Sequence, residues 1–464
     1  MSLLPFRSFA HILEGCKENY GGNVLFRTFD RQWSYSDFCS DVVRFAGWLS
    51  QHKQEYLYIA SQHPYRFCVA CFAAFTVSKT ALLLDEPEQA ENILRADDTT
   101  ISQCLSQPQP MPVMKQDADD TPCVIIKSSG TTSVSKGVVL SHKNLITELD
   151  MLIRYKPFPE REVYYHLLPY SHLFGLLGEF LIPLCTAGTV CFADNDLTLF
   201  RNFAHFKPTY LCIPPAVSES IARILETTDD FVCATGGELK TIISGGAFLR
   251  VQTRDTLEVY GINVYTAYGL TECSPVISIE RDGKSLRKSV GQVLPCCNVK
   301  TVQGEILVSG DTVMLGYWND PVSTAAVIED GWLHTGDMGY VDKNGYLFLT
   351  GRKTNLIVFE NGEKLMAEQL EKELCGICGV KEALVIGKSI EHKRSRTVID
   401  VFVYAQQDAQ PDGLKEKIRS TVSRFADVGL LGSITFLTQP LRRNALGKID
   451  RAFYKQKTIP TADV

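Results

Sequence analysis

"VIIKSSGTTSVSKGVVLSH", residues 124–142, sets a loop of serine, threonine and glycine between two apolar runs. Hydroxyls together with glycine-exposed backbone N–H groups form a concave set of donors suited to phosphate, and Lys136 adds a positive charge. The spacing is not that of the nucleotide P-loop G-x-x-x-x-G-K-[ST], because Lys136 precedes Gly137 and no hydroxyl residue follows. Taken alone, the loop also reads as a flexible Ser/Gly linker. The flanking apolar segments argue against that, since a linker needs no buried strands to anchor its ends.

Outward from this loop the chain alternates strands and helices. "YSDFCSDVVRFAGWLSQ" has helical spacing, "YLYIAS" reads as a strand and "RFCVACFAAFTVSK" as a buried helix. Residues 96–120, with "QPQPMP" and an acidic cluster, read as a polar loop between subdomains. "TYLCIPP", "LKTIISGGAF" and "INVYTAYGLTE" repeat the strand-then-helix pattern, while "GEILVSG", "WLHTGDMGYVDKNGYLFLTGR" and "VKEALVIG" read as β segments joined by Asn-Gly and Asp-Gly turns. From Thr354 onward "MAEQLEKEL" and "LKEKIRSTVSRFA" are amphipathic helices between strands, enough for a second domain. The expected fold class is α/β: a large N-terminal domain of several subdomains with β-sheets flanked by helices, and a small α+β C-terminal domain.

The 464 residues are 45% hydrophobic and 22% charged, the balance of a globular protein. A net charge of -6 gives no basic field, which disfavours nucleic acid and anionic lipid as partners and favours small molecules. Fifteen cysteines, many inside apolar runs such as "FCVACFAAF", suit reduced thiols in a cytoplasmic protein. The C-x-x-C pair Cys375 and Cys378 has no second pair at zinc-site spacing. "MSLLPFRSFAHIL" lacks the order of a secretory signal, and the apolar run from Phe67 to Val77 is shorter than the ~20 residues of a membrane span, so no stable membrane insertion is expected.

Four further stretches stand in order after the opening loop: "TIISGGAFL" (241–249), "YTAYGLTECSP" (265–275), "GWLHTGDMGYVDKNGYLFLTGRKTNLIVFENGEKL" (331–365) and "LRRNALGKIDR" (441–451). Together they resemble the adenylate-forming family of acyl-CoA synthetases, aryl-CoA ligases and peptide-synthetase adenylation domains, from about residue 20 to the C-terminus. The resemblance implies that the loop holds the β and γ phosphates of ATP through Ser129, Thr131 and Thr132, with Lys136 over them. Ser133 and Ser135 depart from the glycine and proline usual in the family, altering backbone freedom at each place.

By the same resemblance, adenine packs between the turn Gly245, Gly246, Ala247 and the ring of Tyr268. Thr271 and Glu272 lie at the α phosphate, with Glu272 as a hard oxygen ligand for Mg²⁺. Asp337 accepts hydrogen bonds from the ribose hydroxyls beside Arg352, and charge makes such an acceptor strong. Lys448 stabilises the charge that builds as the carboxylate displaces pyrophosphate. His172, in "LPYSHLFG", sits at the mouth of the acid pocket, and Gly362 borders the tunnel of the thiol arm. Taken alone, a lysine near a terminus, a lone glutamate or an Asn-Gly pair reads as solvated side chains and a hairpin turn.

The implied activity is a ligase in two half-reactions: a fatty or aryl carboxylic acid and MgATP give an acyl-adenylate, and the thiol of CoA then releases AMP. By the resemblance, residues 1–352 bind ATP and acid, and 353–464 are a mobile domain that carries Lys448 and swings about a hinge where Thr354 replaces the usual Asp or Lys. Loading of an acyl carrier protein's phosphopantetheine is the second reading, and an amino-acid adenylation domain the third. The last wants an acidic residue in the pocket, where the motif offers Thr266. A non-catalytic adenylate-binding homologue is the alternative of another class.

Overall fold

The computed structural model describes residues 6–84, 92–128, 136–155, 158–193, 199–281, 286–360, 363–392, 394–406, 411–443 and 449–456. Two compact units divide the chain: residues 1–299, 308–333 and 343–347 form one, and residues 300–307, 334–342 and 348–464 the other.

Local chemistry in the first unit explains its elements. Helix Tyr35–Ser50 starts at a capping box: Ser34 Oγ accepts from Asp37 N (3.1 Å) and Asp37 Oδ2 accepts from Ser34 N (2.8 Å). Its buried face is Phe38, Val42, Phe45, Ala46 and Leu49, a helical stripe. Each large side chain there contributes about 2 kcal/mol by leaving water, and Phe38→Ala costs about 3–5 kcal/mol. Helix Pro64–Thr76 is apolar around its whole circumference and lies in the core, its buried residues running from Phe67 to Thr76 without a break.

A six-stranded sheet follows the order Gly316–Tyr317, Gly137–Ser141, Pro122–Lys127, Thr80–Leu83, Tyr56–Ile59, Ile93–Ala96. The two apolar arms of the opening stretch are thus neighbouring antiparallel strands, with Lys127 opposite Gly137. A nine-stranded sheet runs Gln292–Val293, Val276–Ile279, Asn263–Gly269, Thr241–Gly245, Tyr210–Ile213, Val163–Tyr165, Thr189–Cys191, Val24–Arg27, Gln32–Ser34. Its central strands are parallel, so their carboxyl ends fall on one edge.

Residues 96–120 differ from the loop expected there, because helix Asp98–Ser106 occupies part of them. Asp97 caps it by accepting from Thr100 N (2.7 Å), and Ile101 and Cys104 are the buried residues on its face. Two apolar positions are too few to announce a helix by periodicity.

The second unit contains the three-stranded sheet Val380–His392, Arg394–Ala405, Leu431–Leu437, antiparallel then parallel. Helices Ala367–Cys375 and Pro411–Val422 contribute Leu370, Leu374, Ile418 and Val422 to the same core as Val401 and Val403. Leu384, Ile386 and Phe402 form a second cluster with Leu441 and Tyr454.

Candidate functional site

Strands Thr241–Gly245 and Asn263–Gly269 lie side by side with Gly245 opposite Ala267. Gly246, Ala247 and Tyr268 therefore emerge at the carboxyl ends of neighbouring parallel strands, the edge where open α/β sheets take ligands. Gly246 has φ +82° and nothing within 4 Å of the place a Cβ would occupy, whereas a Cβ on Gly245 would stand 3.1 Å from the Phe174 ring. Gly246 and Ala247 are exposed and Tyr268 is buried. A flat purine fits an open turn with left-handed backbone, and a side chain at Gly246 would be strained.

Thr271–Cys273 is a short 3₁₀ turn just past the second strand; Thr271 is buried and Glu272 half-buried. Tyr317 Oη donates to Glu272 Oε1 at 2.9 Å, and Met314 N donates to Glu272 O at 2.9 Å. The Lys136 ammonium stands 4.7 Å from the centroid of the Tyr317 ring, so one tyrosine touches both residues. Burial and the Glu272 charge push the Tyr317 hydroxyl well above its ordinary range, which keeps it a donor. Ser128 N donates to Lys136 O at 2.8 Å and closes the neck of the loop. Ser129, Thr131, Thr132, Ser133 and Ser135 lie outside the described residues.

His172 is half-buried and precedes the helical turn Leu173–Leu176, which continues as the π-turn Leu177–Leu181. Leu173, Leu176, Leu177, Phe180 and Leu181 are buried, so this segment is core over most of its length, and Phe174 is the ring that meets the glycine turn. Within it Glu179 is fully buried. Its Oε2 accepts from Leu167 N and Leu168 N and pairs with His166 Nδ1, all at 3.0 Å, which fixes the backbone leading to His172. Burial raises the Glu179 carboxyl above its usual value. Thr266 likewise has an unannounced partner: its N and Oγ1 donate to Glu280 Oε2 at 2.7 and 2.9 Å. Glu280 is itself held by the guanidinium of Arg254, with one contact of 3.1 Å. That carboxylate is already paired to a cation.

In the second unit Asp337 is 4% exposed and its Oδ1 lies 2.6 Å from Arg352 Nε. Thr335 Oγ1 accepts from Asp337 N at 3.0 Å and donates to Ile306 O at 2.7 Å. Glu305 organises the same strand pair: it accepts from Gly336 N (3.1 Å), pairs with His334 Nδ1 (3.2 Å) and accepts from Lys353 Nζ (2.7 Å). Burial raises its carboxyl, but the Lys353 and His334 contacts outweigh that and leave it below the ordinary value. Thr354 is exposed in the turn Lys353–Asn355. Arg451 binds Glu371 Oε1 at 2.6 Å and Val385 O at 3.1 Å, anchoring the "IDR" end of the last motif. Lys448 and Gly362 lie outside the described residues.

Residues 76–318 match the profile of the AMP-binding enzyme family. The chain belongs to this family. It is 28% identical over 372 residues to a long-chain-fatty-acid–CoA ligase of Bacillus subtilis, covering 76% of this chain and 65% of that enzyme. It is 29% identical to the indoleacetate–CoA ligase of Aromatoleum aromaticum, covering 72% of this chain and 67% of that one. The matched segment thus spans about two thirds of the length of these relatives. Among solved structures, ATP-bound MatB from Rhodopseudomonas palustris has a TM-score of 0.81 at 20% identity, covering 96% of this chain and 98% of that one. The anthranilate CoA ligase AuaEII with anthranoyl-AMP has a TM-score of 0.81 at 19% identity, covering 97% of each chain. These likenesses show the fold. Among the described residues no helix is long and apolar enough to cross a membrane, and no group of three or more His, Cys, Asp or Glu could hold a metal ion. Cys375 and Cys378 are exposed and belong to no disulfide.

Proposed function

We propose that the protein activates an apolar carboxylic acid, fatty or aryl, as an acyl-adenylate at the expense of ATP and transfers the acyl group to the thiol of CoA. One observation carries the reading: Gly245 and Ala267 in register, with the open Gly246 turn beside Tyr268 and the Thr271–Cys273 turn at the strand ends. The two curated relatives join fatty and aryl acids to CoA by their names, and the core-packed segment after His172 offers an apolar wall.

The residues divide the work. Gly245, Gly246, Ala247 and Tyr268 bind adenine, and Asp337, steadied by Arg352, accepts from the ribose hydroxyls. Ser129, Thr131, Thr132 and Lys136 hold the β and γ phosphates. Thr271 contacts the α phosphate and Glu272 supplies an oxygen ligand; Mg²⁺, when bound, neutralises phosphate charge. The attacking carboxylate displaces pyrophosphate while Lys448 stabilises the oxygens at phosphorus, and His172 packs at the mouth of the acid site. Functionally, 1–352 binds the reactants and 353–464 brings Lys448, with Gly362 bordering the thiol's path. Cytoplasmic work on a soluble acid fits this scheme, and a carrier-protein phosphopantetheine is the other acceptor to be tested. The Arg254 partnership of Glu280 speaks against the amino-acid reading, because that carboxylate is not left to bind an amine.

The test is acid-dependent exchange of labelled pyrophosphate into ATP over a panel of fatty, aryl and amino acids, followed by CoA or carrier as acceptor. Lys448→Ala should lose pyrophosphate release by ~10² or more, as for one lost transition-state donor, and still convert supplied acyl-adenylate and thiol. Gly362→Leu should do the reverse. No exchange with any acid of the panel would leave only an adenylate binder.

A further inference from the structure

Cys296 and Cys297 are adjacent in sequence and take no part in the chemistry above. They close a turn in which Cys297 N donates to Leu294 O at 2.9 Å, and their sulfur atoms stand 4.0 Å apart. Cys296 is half-buried, while Cys297 is 7% exposed with its sulfur 3.4 Å from Thr312 Oγ1. The turn is pressed against the chain at Gly310, where a Cβ would come within 2.4 Å of Cys296 O. Thr312 O in turn accepts from Ser274 Oγ at 2.7 Å, and Ser274 directly follows the Thr271–Cys273 turn. The pair therefore sits one residue behind the segment that presents Glu272.

We propose that Cys296 and Cys297 are a peroxide-reactive dithiol that closes to a vicinal disulfide and loosens the Thr312–Ser274 contact. A hydrogen bond from the Cys296 thiol, outweighing the burial that raises it, and a contact with Thr312 hold Cys297 below the ordinary thiol range, and a thiolate is the reactive form. Glu148 lies behind them with Oε1 accepting from Val276 N at 2.9 Å. Burial first, then the Cys297 charge, pushes its carboxyl well up, which disfavours a second anion beside the thiolate. The ionised sulfur attacks the peroxide, the O–O bond breaks, and a sulfenic acid and water form. The second thiol then attacks that sulfur, an S–S bond replaces the S–O bond, and a second water leaves. Two thiols are oxidised and one peroxide is reduced. Adjacent Cα atoms are about 3.8 Å apart across a trans peptide, closer than the 4.4 Å or so at which ordinary disulfides begin. The bond is strained, hence easily reduced, and the closure is reversible.

The experiment treats the whole protein with stoichiometric hydrogen peroxide, alkylates free thiols and maps the peptides, with hydrogen exchange in parallel. The expected result is loss of two hydrogens from the peptide holding Cys296 and Cys297, resistance to alkylation until a reductant is added, and faster exchange at residues 271–276 and 312–314. Cys296→Ser should show no loss of two hydrogens and no faster exchange at those residues. Continued alkylation of both cysteines while Cys375 and Cys378 oxidise, or passage of Cys297 to sulfinic acid without an S–S bond, would overturn the dithiol. A disulfide that leaves exchange unchanged would overturn its link to the turn. None of these readouts depends on the ligase reading.

Discussion

Asp337 and Glu148 are both buried carboxyl groups, at 4% and 0% exposure, and their surroundings give them opposite characters. Asp337 faces the Arg352 guanidinium at 2.6 Å, in the second unit. Glu148, in the first unit, has one backbone N–H on Oε1 and no hydrogen bond on Oε2 among the described residues. A paired cation repays the desolvation of charge, and a lone N–H does not. The Arg352 contact thus favours the charged form of the first group, an acceptor suited to hydroxyl donors, and burial favours the neutral form of the second. Burial alone does not mark a functional carboxylate; the partner does.

The widest gap between the two should appear in nucleotide affinity. Asp337→Ala is expected to weaken ATP and AMP by two to three orders of magnitude, the order of losing charged hydrogen bonds to two hydroxyls, with Asp337→Asn less severe. Glu148→Gln should leave both affinities unchanged in the same calorimetric titration. Equal losses would erase the distinction.

His142 extends the comparison to a base, since its ring is buried and Nε2 has no hydrogen-bond partner among the described residues. Burial first, then the Lys115 charge, lowers its pKa to about 4. The unfolded chain takes up this proton near pH 6.5 and the folded one only near 4, so stability falls as pH drops through that window. The loss is of the order of 3 kcal/mol, read as the acid slope of denaturant midpoints. His142→Leu should flatten that slope.

Glu148 gives the smaller effect and the opposite sign. Its raised pKa means that the folded state keeps a proton the unfolded state has lost, so its contribution is fully present below the usual carboxylate pKa and declines as pH rises. Glu148→Gln should raise stability at neutral pH by on the order of 1 kcal/mol, the low end for relieving a poorly compensated buried polar group. The gain should vanish near pH 4. A loss at neutral pH would mean that Glu148 is ionised and paired after all.

The parts of the site legible in the sequence are those written within a few residues. "SGGAF" needs only its own backbone to make an open turn, and "HTGD" and "GRK" stand on neighbouring strands whose alternation is readable. Partners brought together by folding were invisible: Tyr317 is 45 residues from Glu272, and Glu280 is 26 from Arg254. Nothing local separates Glu280 from a solvated glutamate, because its meaning comes from an arginine on another element. Glu179 was hidden in the same way, a charge within an apolar run whose π-turn and His166 partner appear only in three dimensions. The helix at 98–106 leaves little trace in the sequence because its core contact is narrow.

In the proposed reaction an acid oxygen becomes bonded to the α phosphorus of ATP. Turnover of a fatty or aryl acid carrying heavy oxygen in its carboxylate, with ATP and CoA, followed by mass analysis of the nucleotide products, tests this directly. The expected product is AMP bearing one heavy oxygen, because the thiol cleaves the bond between acyl carbon and bridging oxygen. Label in inorganic phosphate together with ADP would mean an acyl phosphate instead, and would rule out the acyl-adenylate.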